Sequence, residues 1–186
     1  MTNIKFLAQK RRSIRKYTGE KIAPEDLTEI METALIAPTA KNTRSVRFVL
    51  VDDPEMLASL SEAKKGHGKF VKDSALSIVV CSDKSVASRP YIDAAIAASY
   101  VQLAVAELEL GSCWSHIHET ETAEGGEAEE RVKELLGLPA DYGVLCIIAI
   151  GVPQDPALLA TKERVVEWER VYVGKYEDRS AIRGEE

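Results

Sequence analysis

The sequence predicts an α+β fold, on three observations. Segments with apolar residues at 3–4 spacing alternate with short continuous apolar runs, so helices and strands interleave along the chain. The connections are short and polar, and few stretches have the length of a parallel crossover unit, which argues against a doubly wound sheet. The 186 residues are 45% hydrophobic, enough to bury one core, and no linker or internal repeat divides them.

In chain order, residues 3–11 read as a short helix with Ile4, Leu7 and Ala8 on one face. Pro24 suits a first helical position, and Glu25 and Asp26 complement the positive end of the dipole. That helix runs to about Ile36 with Leu27, Ile30, Met31, Ala34 and Leu35 in register, and Pro38 stops it. Arg47–Val51 is strand-like, and Asp53-Pro54 opens a helix to about Ala63. Lys64–Asp73 reads as a polar, flexible loop before the strand Ala75–Cys81. Asp93–Leu110 is the longest helical pattern, apolar on nearly all sides over its first two-thirds, so it is expected to be buried centrally or against a second subunit. Gly111 ends it, and Cys113–Ile117 is the next strand. Glu119–Glu130, with six Glu and Gly125-Gly126, reads as a solvated loop entering a helix that closes at Leu136 with Gly137 as its cap. Val144–Ile150 is a continuous apolar run, hence a central strand. From Pro153 onward Trp168, Tyr172 and Tyr176 sit among charges, the pattern of an arm anchored on a surface; residues 1–186 are read as one domain with 153–186 as that arm.

Composition narrows the chemistry. No run approaches the ~18 apolar residues of a membrane span. The first residues lack the apolar stretch of a secretory signal, so a cytoplasmic location is expected. Three cysteines (81, 113 and 146), far apart and odd in number, argue against a disulfide framework. His116 and His118 lack carboxylate or cysteine partners at ligand spacing, and no metal is expected.

Charge is the sharpest signal. The run Lys10-Arg11-Arg12-Ser13-Ile14-Arg15-Lys16 packs five cations into seven residues of a chain whose net charge is −6. Residues 1–47 hold ten Lys/Arg and five Asp/Glu, a balance of +5, which leaves −11 for the other 139. Such a run serves a solvated face, a nucleic acid or a bound phosphate. Nucleic acid fits poorly: the isoelectric point is about 5.3 and the nearby aromatics, Phe6 and Tyr17, make no stacking platform. Arginine forks with a serine hydroxyl between them suit a phosphate.

The run Arg11-Arg12-Ser13-Ile14-Arg15 resembles the opening Arg-x-Ser-x-Arg/Lys motif of the FMN-dependent nitroreductase family. Five further segments follow in the family's order. They are Ala37-Pro38-Thr39-Ala40-Lys41-Asn42 with Thr43–Val49, then Asp93-Ala94-Ala95, then Leu110–Trp114, then Leu138-Pro139-x-x-Tyr142 with the strand to Pro153, and finally Lys162-x-Arg164. The resemblance implies a nitroreductase-like sandwich, a mixed, mostly antiparallel sheet flanked by helices, in an intertwined homodimer with FMN at the subunit interface. It implies that Arg11, Arg12, Ser13 and Arg15, together with Lys162 and Arg164, hold FMN from one subunit. It implies that Pro38, Thr39 and Asn42 approach the ring from the other, and that Cys113 and Trp114, also expected at the cofactor, lead into the stretch whose backbone amide faces flavin N5. NADH or NADPH is the implied electron donor; neither nucleic acid nor membrane is an implied partner.

Two departures stand out. The family's Gln-Pro-Trp is Arg44-Ser45-Val46 here, which puts a full charge where the glutamine touches the pyrimidine edge; Arg44 and Lys162 are the candidates for stabilising charge there. The chain also lacks the helical insertions of longer members. No side-chain nucleophile or acid/base pair is expected to be catalytic, since the flavin carries the chemistry. The implied reaction is ping-pong hydride transfer from NAD(P)H to a nitroaromatic, quinone or similar acceptor. The alternative is a specialised flavin dehydrogenase or dehalogenase, or a flavin-holding protein of the same fold.

Overall fold

A computed structural model of the chain describes residues 3–176. Its helices are α1 (Ile4–Lys10), α2 (Pro24–Leu35), α3 (Pro54–Ser61), α4 (Pro90–Glu107) and α5 (Ala128–Leu136). Its strands are β1 (Val46–Val51), β2 (Leu76–Asp83), β3 (Gly111–His116) and β4 (Tyr142–Gly151). The strands form one sheet in the order β1-β2-β4-β3, every neighbouring pair antiparallel. Parallel character enters through a bridge between Ser13 and Ser112.

The alternation of side chains across a pleat divides the core in two. On one face Ile78, Val80, Ile148 and Ile150 meet Ile30 and Ala34 of α2 and Ala94, Ala98, Val101 and Val105 of α4. On the other, Val79, Cys81, Ile147 and Ala149 meet Leu57 and Leu60 of α3 and Ala128 and Val132 of α5. β4 is buried at nearly every position, as its unbroken apolar run requires of a central strand. Truncating a side chain such as Ile148 to alanine costs about 2–5 kcal/mol in a core of this kind.

Local chemistry sets the helix ends. Asp53 caps α3 by accepting from the Met56 N–H at 2.8 Å, with Pro54 at the first helical position. Gly137 closes α5 in the left-handed conformation, φ 64°. Among the described residues no helix is long and apolar enough to cross a membrane.

Several expectations need correction. In α1 the buried residues are Leu7 and Lys10, whereas Ile4 and Ala8 are exposed. The Lys64–Asp73 segment is not free: residues 69–73 form a 3₁₀ turn with Val71 fully buried. α4 begins at Pro90, a residue with no N–H to leave unpaired, so Asp93 lies inside its first turn. Glu129, expected at the end of a solvated stretch, is buried: it accepts from the Tyr91 hydroxyl and the Val144 N–H and pairs with His118. In the arm, Trp168 and Tyr176 stay exposed on their own chain, and residues 177–186 lie outside the described residues.

The basic run is fixed to the sheet by its backbone. The Ile14 N–H donates to Ser112, the Thr18 N–H to Val152 and the Gln154 N–H to Lys16. Gly111 and Gly151 oppose each other across β3 and β4. A Cβ on Gly111 would fall 2.9 Å from Ile14 Cγ2, and one on Gly151 2.8 Å from the Tyr17 ring. Absence of side chains there lets residues 14–17 lie flat on the strand ends. The buried Tyr17 hydroxyl, 2.5 Å from the Ile14 carbonyl and 3.2 Å from that of Ala149, holds them down.

Candidate functional site

The structure brings the predicted cations together at the β3 edge of the sheet. Arg164 Nη2 donates to the Arg11 carbonyl at 3.0 Å, so the C-terminal pair folds back onto the N-terminal run. Arg12 donates to the Ala160 carbonyl at 3.0 Å, and Arg12, Lys162 and Arg164 line one open hollow of about 510 Å³ with Glu163 and Val165. The Arg15 guanidinium sits 5.7 Å from the centre of the Phe70 ring, a cation–π contact that orients it. Lys10 is withdrawn from the cluster: it is buried and paired with Glu109 at 3.0 Å.

Electrostatics agree with the geometry. Burial lowers the Arg11 pKa, and the neighbouring Arg164 charge lowers it further. Two guanidinium groups set against each other in this way favour an anion between them. Cys113, buried on β3, has its thiol pushed up by burial, opposed by Arg15, by a hydrogen bond with Ser13, and by Arg11 and Lys64. Ser13, Arg15, Arg11 and Cys113 therefore form one electropositive locus. Trp114, half-buried on the opposite side of β3, donates from Nε1 to His116 Nδ1 at 3.4 Å and packs into the α4 core.

Pro38, Thr39, Asn42 and Arg44 meet elsewhere. They line an open groove of about 780 Å³ with Leu35, Ile36 and Phe48, beside β1. Lys41, Asn42 and Arg44 adopt left-handed conformations with φ of 56°, 54° and 49°. For a residue with a side chain such a conformation costs roughly 1–2 kcal/mol, less for asparagine. Hydrogen bonds hold the turn: the Arg44 N–H donates to Thr39 Oγ1 at 2.9 Å, the Arg47 guanidinium to the Arg44 carbonyl at 2.7 Å, and the Ala40 N–H to Asp93 at 2.8 Å.

β1 and Ser13 are separated by four inter-strand steps, roughly 15–20 Å at ~4.8 Å per step. The cationic cluster and the groove thus lie at opposite edges of the sheet of a single chain. Two relevant residues were not among the expected site residues. Lys64 is half-buried, its pKa lowered by desolvation and raised by Cys113, which places it at the cationic locus; nothing in its polar loop marked it. Asp93 was expected to open the long helix within the segment Asp93-Ala94-Ala95, with no role attached to its carboxylate.

The chain matches the model of the nitroreductase family over residues 8–84 and 58–152. It is 34% identical over 149 residues to a protein of Archaeoglobus fulgidus provisionally named NADH dehydrogenase/NAD(P)H nitroreductase, covering 78% of this chain and 82% of that one. It superposes on an FMN-dependent nitroreductase of Clostridium difficile with a TM-score of 0.86 and 37% identity, over 92% of this chain and 99% of the other. A provisionally named nitroreductase of Desulfovibrio desulfuricans in complex with FMN gives a TM-score of 0.72 at 25% identity, over 95% and 99% of the two chains. The α+β sandwich and its sheet are those of the FMN-dependent nitroreductase fold. The chain belongs to the nitroreductase family.

Proposed function

We propose that the protein is a cytoplasmic, homodimeric, FMN-dependent NAD(P)H oxidoreductase in which each flavin lies between the cationic edge of one subunit and the groove of its partner. The residues fit this cofactor. Arg11, Arg12, Ser13, Arg15, Lys162 and Arg164 supply a donor set suited to a phosphate dianion, and Pro38, Leu35 and Ile36 supply apolar surface for a planar ring. The carrying observation is the placement of Arg164 against Arg11, where burial and the neighbouring Arg164 charge disfavour the Arg11 charge until an anion joins them.

The split of the half-sites supports the dimer, since one small ligand does not span opposite sheet edges. So does exposed apolar surface on the single chain: Leu35 and Ile36 beside the groove, and Val165, Val166 and Trp168 along the arm. The chain acts as one domain, and the described part of its C-terminal arm, residues 153–176, reaches the partner.

When bound, FMN would supply the redox chemistry, ping-pong hydride transfer through N5 from NAD(P)H to a nitroaromatic, quinone or similar planar acceptor. The protein's own residues anchor, orient and charge the site. The basic run and the Lys162/Arg164 pair fix the phosphate end. Arg44, replacing the family glutamine, presents a permanent positive charge from the groove, and preorganised charge of this kind is worth about 3–4 kcal/mol at a site of developing negative charge. Buried Cys113, its thiol pushed up, stays protonated and lends the locus no negative charge at neutral pH. The test is the visible spectrum of purified protein with FMN, recorded anaerobically before and after NADH or NADPH. Loss of the flavin absorbance on addition is expected; a spectrum that neither donor changes would overturn the proposal.

A further inference from the structure

We infer that Asp93 is the positioning residue that shapes the turn 39–45 for flavin binding. The inference rests on the reading that this turn faces the ring. Asp93 is 1% exposed, in the first turn of α4. Its Oδ1 accepts the Ala40 N–H at 2.8 Å and its Oδ2 accepts the Ser45 hydroxyl at 3.5 Å. One carboxylate therefore ties both ends of the turn that carries Asn42 and Arg44. Ser45 in turn accepts from the Ser82 hydroxyl on β2 at 3.1 Å, which links the far end to the sheet.

Packing does not call for a carboxylate here. Its helix neighbours Ala94, Ala97 and Ala98 are small, apolar and buried. Among the described residues no Lys, Arg or His forms an ion pair with Asp93. A buried carboxylate without a counter-charge is unfavourable, and the helix N-terminus with two hydrogen bonds offsets part of that cost. What the carboxylate provides is an anchor for a strained segment: three of the four residues 41–44 have positive φ. Without it, Lys41 and Arg44 relax toward negative φ, and the Asn42 and Arg44 side chains leave the groove. Asp93 touches neither reactant nor cofactor, and it acts through the loop.

The experiment titrates apoprotein dimer with FMN, following flavin fluorescence and visible circular dichroism, for wild type, Asp93→Ala, Asp93→Asn and Ser45→Ala. Asp93→Ala is expected to raise the FMN Kd about tenfold, the scale of one lost charge-assisted hydrogen bond, and to alter the dichroism of the bound ring. Asp93→Asn, which keeps shape and an oxygen acceptor for the Ala40 N–H, is expected to stay within about threefold of wild type. Ser45→Ala, which severs one tie of the two, is expected to raise Kd about threefold and decides the matter if Asp93→Ala does not fold. Wild-type Kd and dichroism in Ser45→Ala and in any folded Asp93→Ala would overturn the positioning role; so would an Asp93→Asn variant as impaired as Asp93→Ala. Wild-type protein that binds no FMN would instead refute the proposed function.

Discussion

Arg164 donates from Nη2 to the carbonyl oxygen of Arg11 at 3.0 Å, joining positions 153 apart in the chain. The contact holds a second guanidinium beside Arg11 without neutralising either charge. Removing one charge-assisted contact to a phosphate costs about 1.5–3 kcal/mol. Arg11→Ala and Arg164→Ala are each expected to raise the FMN Kd by roughly 10–100-fold in a fluorescence titration. Lys10→Ala is the internal control. Lys10 lies in the same basic run, but its ammonium is committed to Glu109, so its loss leaves Kd unchanged. Equal effects at Lys10 and Arg11 would show that the run acts through bulk charge and not through a built grip.

Separation of the half-sites leads to a complementation experiment. Arg11→Ala damages the phosphate end; Asn42→Gly removes the groove side chain while tolerating its φ of 54°. Each homodimer then has two defective sites. A mixed dimer of the two variants pairs the intact edge of one subunit with the intact groove of the other, and its second site carries both lesions. One FMN per mixed dimer at wild-type affinity is the expected result. Weak binding at every site of the mixed dimer would place both half-sites in one chain.

Sequence patterns exposed much of this molecule. Most elements were legible, α2 through its apolar stripe and β4 through an unbroken apolar run enclosed on both faces, whereas the expected face of α1 was not the buried one. The cationic residues were legible because like charges cluster against the sign of the whole chain. What the sequence hid depends on long-range placement. Lys10 belongs to the run but turns to Glu109, 99 positions away, and no local pattern predicts that pairing. Asp93 was expected only to open the long helix, yet its carboxylate reaches a turn 53 positions earlier. The left-handed turn was opaque too, since Lys41 and Arg44 are not residues that announce positive φ.

Close approach of Tyr17 to Gly151 makes that glycine a test of how the basic run is seated. In Gly151→Ala the new Cβ would sit 2.8 Å from the Tyr17 ring, buried on both sides. Overpacking of this kind costs typically about 1–3 kcal/mol. For a chain of this size the melting temperature is expected to fall by about 2–4 °C per kcal/mol lost. FMN binding is expected to weaken as well, since the displaced Tyr17 carries Ser13 and Arg15 with it. Gly19→Ala, whose added Cβ meets nothing within 4 Å, should melt like wild type. Matching melting temperatures for the two variants would contradict the seating of residues 14–17 on bare strand ends.

Stability is expected to fall on the alkaline side, with Cys81 as a traceable source. Cys81 is fully buried on β2 opposite Arg47, and burial pushes its thiol from 9.0 up to about 11, opposed by Arg47. The folded pKa is the higher one, so between pH 9 and 11 the unfolded chain releases a proton that the native state retains. The thiol's contribution is therefore complete below pH 9 and lost as pH rises toward 11, about 2 kcal/mol over that window. Cys146, equally buried, shifts the same way and adds to the loss. Urea unfolding under reducing conditions at pH 8, 9.5 and 11 isolates the effect. Cys81→Ala is expected to be less stable than wild type at pH 8, because it leaves a cavity, yet to lose less between pH 9 and 11. Parallel decline in the two proteins would mean that the alkaline instability arises from groups other than Cys81.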